Sequence, residues 1–524
     1  MTYKEEYPMP FSRQQLRFFL LLCTLLCFTS GALTQERNDP LKGFDAYVRQ
    51  AVKDWNVPGL AMAVVHQGTV VFSNAYGVKR ISKPDPVDTH TLFANASTTK
   101  AFTAMAMAML VDEGKVKWDE PVVTYYPAFR LKDPYVTAEV TVRDLLTHRT
   151  GVVPTNSWAL DIDKGTYIRN LRYAPRRSST RSQFEYNNDM FVVAGEVIHA
   201  VSGKPWDQFV AERILLPVGM GETKMLTSGL RDSKNAVLPH AVVHGVVTEI
   251  PVPVYVDDAD AAGSMNSNVT DMARWLQFLL DSARVNGKRL VQPKSFEELL
   301  RPQMLLSEPG YPAATQAGSH FFAYGLGWFL QDYKGHMLAM HTGSLDGLCA
   351  IIGLVPEENL GVVVFENVDH AELRHALMYS VCDRFLGSAN KDWSKDLLQL
   401  YTAQKAKSDS TKKERESKRI IGTHVTVPLE KYAGTYDNEI YGPIIVEHGS
   451  KGLTARFKAE DRLTFDLIHW QYDAFKGTSR DAQHKEVMIQ FKIDADGTPH
   501  EIRFDLYGEW EGEMIVATRE KKMP

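Results

Sequence analysis

At 524 residues the chain is too long for one ordinary domain, and with 44% hydrophobic residues it can build a large core, so two or three folded units are expected. Its 59 basic and 64 acidic side chains leave a net charge of -5, with no acidic tail. That balance excludes a general affinity for nucleic acid or an anionic membrane, and leaves a small-molecule or peptide partner to be read from a site.

The N-terminus differs from the rest. Arg13 and Arg17 precede an apolar run at 18–28, and Ser30, Gly31 and Ala32 follow it. The run is short for a membrane span but suits the apolar core of a secretory signal cleaved after Ala32. Residues 1–34 therefore read as a signal peptide or, if uncleaved, an anchor, and the bulk of the chain as secreted or periplasmic. Cys23 and Cys27 lie inside this run, with Leu22 and Leu26 where lipidation would require a small residue. Cys349 and Cys382 have apolar flanks and are expected to be buried free thiols.

Residues 60–75 (LAMAVVHQGTVVFSNA) give two β-rich runs split by Gln67-Gly68, a hairpin pattern. Residues 101–111 (AFTAMAMAMLV) hold helix formers without Pro or Gly, and Gly114 supplies a stop. Apolar on every side, this helix belongs at the centre of a domain. Helix-like segments follow at 189–202 and 269–280, and the four β-rich runs at 327–367 form an antiparallel meander. Strands at both ends of a helical middle predict an α+β unit over 41–388, its antiparallel sheet completed from distant parts of the chain. Residues 389–426 are Lys-, Glu-, Ser- and Asp-rich and read as a solvated, in part helical linker. Beyond it, 427–524 carries about seven short strands, enough for a small all-β barrel or sandwich.

Three Ser-x-x-Lys tetrapeptides occur: Ser97 with Lys100, Ser388 with Lys391, and Ser410 with Lys413. Only Ser97 begins a buried apolar helix. Residues three apart share a helix face, so the Lys100 amine can lie beside the Ser97 hydroxyl and accept its proton once burial disfavours the ammonium. The same spacing also fits an N-cap serine with a snorkelling lysine. Two further elements follow: FEYNN at 184–188, with Tyr186 and Asn188, and His341-Thr342-Gly343-Ser344 at the end of a β-run. A glycine there would let a substrate backbone lie against the strand edge.

In this order the three elements resemble the active-site signature of serine β-lactamases, penicillin-binding DD-peptidases and their esterase and aminopeptidase relatives. NVPGLAMAVV, DLLTHRTG at 144–151 and YGLGW at 324–328 are similar to landmarks of the class C branch, and the resemblance spans 41–388. The C-terminal segment resembles the lipocalin-like modules of some relatives. The resemblance implies that Ser97 attacks a carbonyl, Lys100 takes its proton, and Tyr186 is the second base, protonating the leaving group. It implies that Asn188 holds the substrate amide and that the Ser97 and Ser344 N–H groups form the oxyanion hole, with Thr342 and Gly343 on the substrate-binding strand. No metal or organic cofactor is implied.

The resemblance implies that His341 stands with the catalytic residues, at the family's basic position on the edge strand, where it departs from the lysine that many relatives carry. A mostly neutral histidine suits a substrate carboxylate less well, which turns the expectation from β-lactams toward D-residue peptides or small esters. The competing readings are a binding or sensor protein that retains the cleft, and acyl transfer through the same intermediate. His240 and His244 stand in an extended context, too far apart for one metal ion. Asn95-Ala96-Ser97 and Asn268-Val269-Thr270 match the N-glycosylation pattern, the first blocked if the helix start is buried.

Overall fold

Gln67 and Gly68 both take positive φ, and around them the chain folds back as the hairpin β1 (Gly59–His66) and β2 (Thr69–Gly77). The computed structural model describes residues 39–243, 245–369, 372–388, 391–480, 486–505 and 514–520. The proposed signal at 1–34, Cys23 and Cys27, and His244 lie outside them.

The meander continues the hairpin into one antiparallel sheet of eight strands. To β1 and β2 it adds β3 (Met304–Leu306), β4 (Phe322–Tyr324), β5 (Phe329–Tyr333), β6 (His336–Leu345), β7 (Leu348–Val355) and β8 (Leu360–Glu366). The order is β2-β1-β8-β7-β6-β5-β4-β3, so the early hairpin joins the late meander through β1 and β8. The short strands β3 and β4 extend the sheet beyond the meander legible in the sequence.

Helices cover both faces. The apolar segment at 101–111 forms α1 (Lys100–Asp112), every residue of which through Leu110 is buried. Each of its fully buried Met and Leu side chains contributes about 1.5–3 kcal/mol of transfer free energy. The middle segments form α2 (Asn188–Ser202) and α3 (Val269–Leu280). Gly361 of β8 faces Leu276 of α3, whereas Gly353 of β7, cross-strand from Val362, faces Met378 of α4 (Leu373–Phe385). Successive strand residues point to opposite faces, so α3 and α4 lie on opposite sides of the sheet.

The charged segment is more ordered than a solvated linker. From Trp393 to Ser417 it is one helix, α5, with Asp392 as N-cap and no Gly or Pro inside it. Trp393 and Leu397 anchor its first turns, and Lys412–Glu486 and Glu416–Lys476 ion pairs tie its far end to the β-domain. Helix propensity and these pairs offset the missing apolar face.

Among the described residues, eight strands form a closed barrel: β9 (Gly434–Asp437), β10 (Ile444–Gly449), β11 (Gly452–Phe457), β12 (Glu460–Gln471), β13 (Ala474–Ser479), β14 (Val487–Ile493), β15 (Pro499–Asp505) and β16 (Ile515–Arg519). Closure comes from β9 pairing with β16, Tyr436 opposite Arg519. The strand missed in the sequence is β13, where Lys476, Gly477, Thr478 and Ser479 blur the alternation although Phe475 and Gly477 point inward.

Candidate active site

Ser97 stands on a tight turn of 3-10 helix, Ala96–Thr99, that runs into α1. Ala96 just before it takes φ +46°, the left-handed region, at a cost of roughly 1–2 kcal/mol. The turn is held by Asn95, whose carbonyl accepts from the Thr98 amide (3.1 Å) and hydroxyl (2.9 Å). Neither the 3-10 turn nor α1 is capped by a side chain, so Ser97 is not an N-cap. Ser97 is half-buried while Ala96, Thr98, Thr99 and Lys100 are buried.

Lys100 is fully buried, and its Nζ lies 3.0 Å from Ser97 Oγ, 2.7 Å from Asn188 Oδ1 and 2.9 Å from the Ala262 carbonyl. The amide and carbonyl oxygens can only accept, so two N–H groups of Lys100 are committed to them. The third position either donates to Ser97 Oγ as an ammonium or, as a free amine, accepts the serine proton. Asn188 opens α2, where Asn187 caps the helix through Met190 N. The Asn188 oxygen therefore bonds the lysine.

Tyr186 sits beside this pair, its ring centroid 5.0 Å from Lys100 Nζ. His148 packs on one side of it at 4.2 Å, and Phe329 lies parallel at 6.5 Å. His148 is buried at φ +53°; its Nδ1 accepts the Asn187 amide (2.9 Å), which leaves the proton on Nε2 inside an aromatic cluster with Phe184, Phe191 and Tyr324. Burial, with the charge of Lys100 adding to it, holds the His148 pKa well below the ordinary histidine value.

His341 is not the exposed basic group that its strand position suggests. It is 1% exposed, and burial with the nearby Lys100 charge pulls its pKa to about 3, so the ring is neutral. Nδ1 lies 2.6 Å from the Thr342 carbonyl and must donate to it; Nε2 then accepts the Tyr324 hydroxyl at 2.8 Å. Both nitrogens are occupied within the protein.

Gly343 also has a packing use at the serine turn. A Cβ there would run into the Asn95 carbonyl oxygen and come within 3.0 Å of Ala96 Cβ and 3.1 Å of Ser97 N. The glycine lets the strand lie against the serine turn. Along β6 the pairing with β5 ends at Met340 opposite Phe329, so among the described residues no strand covers that side of 341–345. Thr342 and Ser344 point to the opposite face from His341, and Ser344 Oγ accepts from Arg374 (3.0 Å), which also donates to the Gly343 and Ala350 carbonyls. Arg374 is buried and paired with Glu372.

The structure thus gathers Ser97, Lys100, Tyr186, Asn188 and His341 at one place. Sequence reasoning missed His148, Tyr324 and the Ala262 carbonyl; the first two lie inside THRTG and YGLGW, which were legible as landmarks without roles. The other tetrapeptides are not assembled: Ser388 Oγ accepts from Lys334 while Lys391 reaches the Gln316 carbonyl (3.1 Å), and Ser410 and Lys413 are exposed on α5. Asn95 and Asn268, the asparagines of both glycosylation patterns, are 0% exposed. His240 is buried against the Asn367 carbonyl (2.8 Å), and Cys349 and Cys382 are buried free thiols. Among the described residues no cluster of His, Cys, Asp or Glu could hold a metal ion, and no helix is long and apolar enough to cross a membrane.

Sheet, helices and serine turn together define the β-lactamase and penicillin-binding-protein fold class. The Beta-lactamase family model matches residues 44–380, and the chain belongs to that family. A domain of unknown function, DUF3471, matches 418–519, which spans the barrel. Unguisins hydrolase ungD' of Aspergillus campestris is 28% identical over 497 residues, covering 89% of this chain and 90% of that protein. Protein flp of Staphylococcus aureus is 23% identical over 344 residues, 63% of this chain and 64% of its own. Among solved structures, the octameric penicillin-binding protein homologue from Pyrococcus abyssi shares the fold at TM-score 0.60 and 20% identity, over 91% of this chain and 99% of that one. SurE does so at TM-score 0.55 and 19% identity, over 92% and 99%. The chain is a member of a β-lactamase-fold hydrolase family.

Proposed function

We propose that the protein is a serine hydrolase that cleaves an amide or ester through an acyl-enzyme on Ser97. The observation that carries this reading is the Lys100 amine 3.0 Å from Ser97 Oγ, anchored by two oxygens that cannot donate back. Ser97 Oγ bonds to the substrate carbonyl carbon as its proton passes to Lys100; collapse of the tetrahedral intermediate breaks the C–N or C–O bond. Tyr186, beside Lys100, delivers the proton to the departing amine or alcohol and then activates water for deacylation. The Ser97 and Ser344 amides receive the developing oxyanion, Thr342 and Gly343 lie along the substrate backbone, and Asn188 turns its amide nitrogen to the substrate.

His341 serves as a positioning residue of the aromatic wall in this reading. Neutral and internally bonded, it offers no cation to a substrate carboxylate, and Arg374 is already paired with Glu372. This favours D-residue peptides or small esters over β-lactams and free C-terminal acids. The relatives named as unguisins hydrolases support a hydrolytic reaction. The apolar run near the N-terminus supports export to a secreted or periplasmic location.

Fluorophosphonate labelling of the purified protein tests the assignment. The wild type is expected to be labelled and Ser97→Ala to lose all label; label retained by Ser97→Ala overturns it. A panel of D-aminoacyl amides, nitrophenyl esters and a chromogenic cephalosporin then ranks the substrates.

A further inference from the structure

The segment joining Thr155 to Lys164 belongs to the catalytic unit by sequence but to both folded units by packing. Leu160 is 1% exposed and lies in the apolar core of the barrel, with Ile162 packed against the same cluster. The Asp161 amide donates to the Ala459 carbonyl at 3.0 Å. On the barrel side, the loop between β9 and β10 reaches back: the Tyr441 hydroxyl donates to the Thr155 carbonyl (3.1 Å), and Asn170 donates to the Ile440 carbonyl (3.2 Å). The barrel is therefore stoppered by a piece of the catalytic unit and grips it from both sides.

The same segment holds the two pieces of chain that supply the non-serine acceptors of Lys100. At its start, the Thr155 amide (2.7 Å) and hydroxyl (3.0 Å) both donate to Asp189, the residue after Asn188. Asp189 is fully buried and also accepts the Tyr167 hydroxyl (2.8 Å). At its end, Lys164 donates to Asp260 (2.6 Å), two residues before Ala262. Asn188 Oδ1 and the Ala262 carbonyl are the groups that orient the Lys100 amine toward Ser97. A path of hydrogen bonds and packed side chains thus runs from the barrel to both ends of the lysine's cage.

We propose that the barrel is a positioning module of the active site, with Tyr441 as a positioning residue that sets the lysine cage through Thr155 and Asp189. The inference rests on the reading of Ser97 and Lys100 as nucleophile and base. It assigns the barrel a part in the reaction without contact to the substrate: the grip on 155–164 fixes where Asn188 and Ala262 stand, and hence how well Lys100 takes the serine proton. Removing one hydroxyl from this path leaves the folded units intact and loosens the cage.

The test compares Tyr441→Phe with Tyr436→Phe, whose hydroxyl donates to the Tyr432 carbonyl inside the barrel (2.9 Å). Rates of fluorophosphonate labelling are measured across pH, together with amide hydrogen exchange over 150–164, 186–190 and 258–263. Tyr441→Phe is expected to slow labelling about three- to tenfold, to displace the pH midpoint, and to speed exchange in all three segments. Tyr436→Phe should match the wild type. A Tyr441→Phe protein with unchanged rate, pH midpoint and exchange overturns the proposal, as does a Tyr436→Phe protein that reproduces its changes. An unlabelled wild type would instead overturn the reading of Ser97, and with it the catalytic half of this inference, while exchange still decides whether Tyr441 holds the cage.

Discussion

The molecule contains two eight-stranded antiparallel sheets that treat their edges in opposite ways. In the open sheet β6 parts from β5 after Met340, leaving 341–345 as backbone edge against the Ser97 turn. In the barrel β9 pairs with β16, so among the described strands each has two neighbours, and inward side chains such as Phe465, Ile489 and Phe504 fill the interior at 0% exposure. Acyl transfer needs backbone N–H groups aimed at a developing oxyanion, which an interrupted ladder supplies and a closed one consumes. The closed sheet meets the catalytic unit instead through packing at Leu160 and a hydrogen bond from Tyr441 to the Thr155 carbonyl.

One substitution made in both sheets should break the molecule differently. Gly343 and Gly477 are both buried strand glycines. A Cβ on Gly343 meets backbone at the Asn95 carbonyl, whereas one on Gly477 meets only side chains of the barrel core, Val487 at 2.6 Å and Leu467 and Phe465 at 3.2 Å. Gly343→Ala should therefore displace β6 from Ser97 and lower fluorophosphonate labelling by about 100-fold or more. Gly477→Ala should cost about 1–3 kcal/mol in denaturant unfolding and leave the labelling rate unchanged. Equal effects on labelling would mean that the edge has no special part in the site.

The same contrast explains what was legible in the sequence. The hairpin at 60–75, the helix at 101–111 and the meander announce themselves through clean alternation or uninterrupted apolar runs. Strand β13 does not, because Lys476 and Thr478 face out between inward residues, one of which is a glycine. Helix α5 reads as linker because its stability comes from propensity and ion pairs to β-domain residues distant in sequence. At the site, Ser97, Lys100, Tyr186 and Asn188 were visible through spacing and order. His148, Tyr324 and the Ala262 carbonyl were not, since ring packing and a main-chain acceptor leave no residue-type signal. His341 was visible as a departure, but its burial and fixed tautomer follow from Tyr324, which only the fold brings near.

Acid should separate the two sheets by a smaller margin. The folded-state pKa of His341, about 3, lies below the ordinary value of 6.5, so the unfolded chain binds its proton first. Stability is then complete above 6.5 and falls as the pH drops toward 3, by about 1.4 kcal/mol per pH unit, or about 2 kcal/mol near pH 5. In the barrel, burial raises the Asp473 pKa, but hydrogen bonds from Thr426 and Tyr432 more than offset this and hold it below 3.8; that stability is lost only as the pH falls below that value. Denaturant unfolding at pH 7 and pH 5 should show the catalytic unit weakening first, and His341→Gln should flatten its slope. An unchanged slope in His341→Gln would mean that the ring is protonated in the folded protein.

The smallest effects are expected where the tetrapeptide occurs without a strand edge. On α5, Ser410 and Lys413 share an exposed helix face, so Ser410→Ala should change stability by less than about 0.5 kcal/mol and labelling not at all. Ser388→Ala removes an acceptor of Lys334, which Asp383 still binds, and should likewise leave labelling intact. A residual label that vanished with either serine would show that spacing alone can make a nucleophile here. With three copies of one spacing in a single chain, the comparison isolates what sets Ser97 apart: a lysine anchored by Asn188 and Ala262, and a strand end at Gly343 lying against the serine turn.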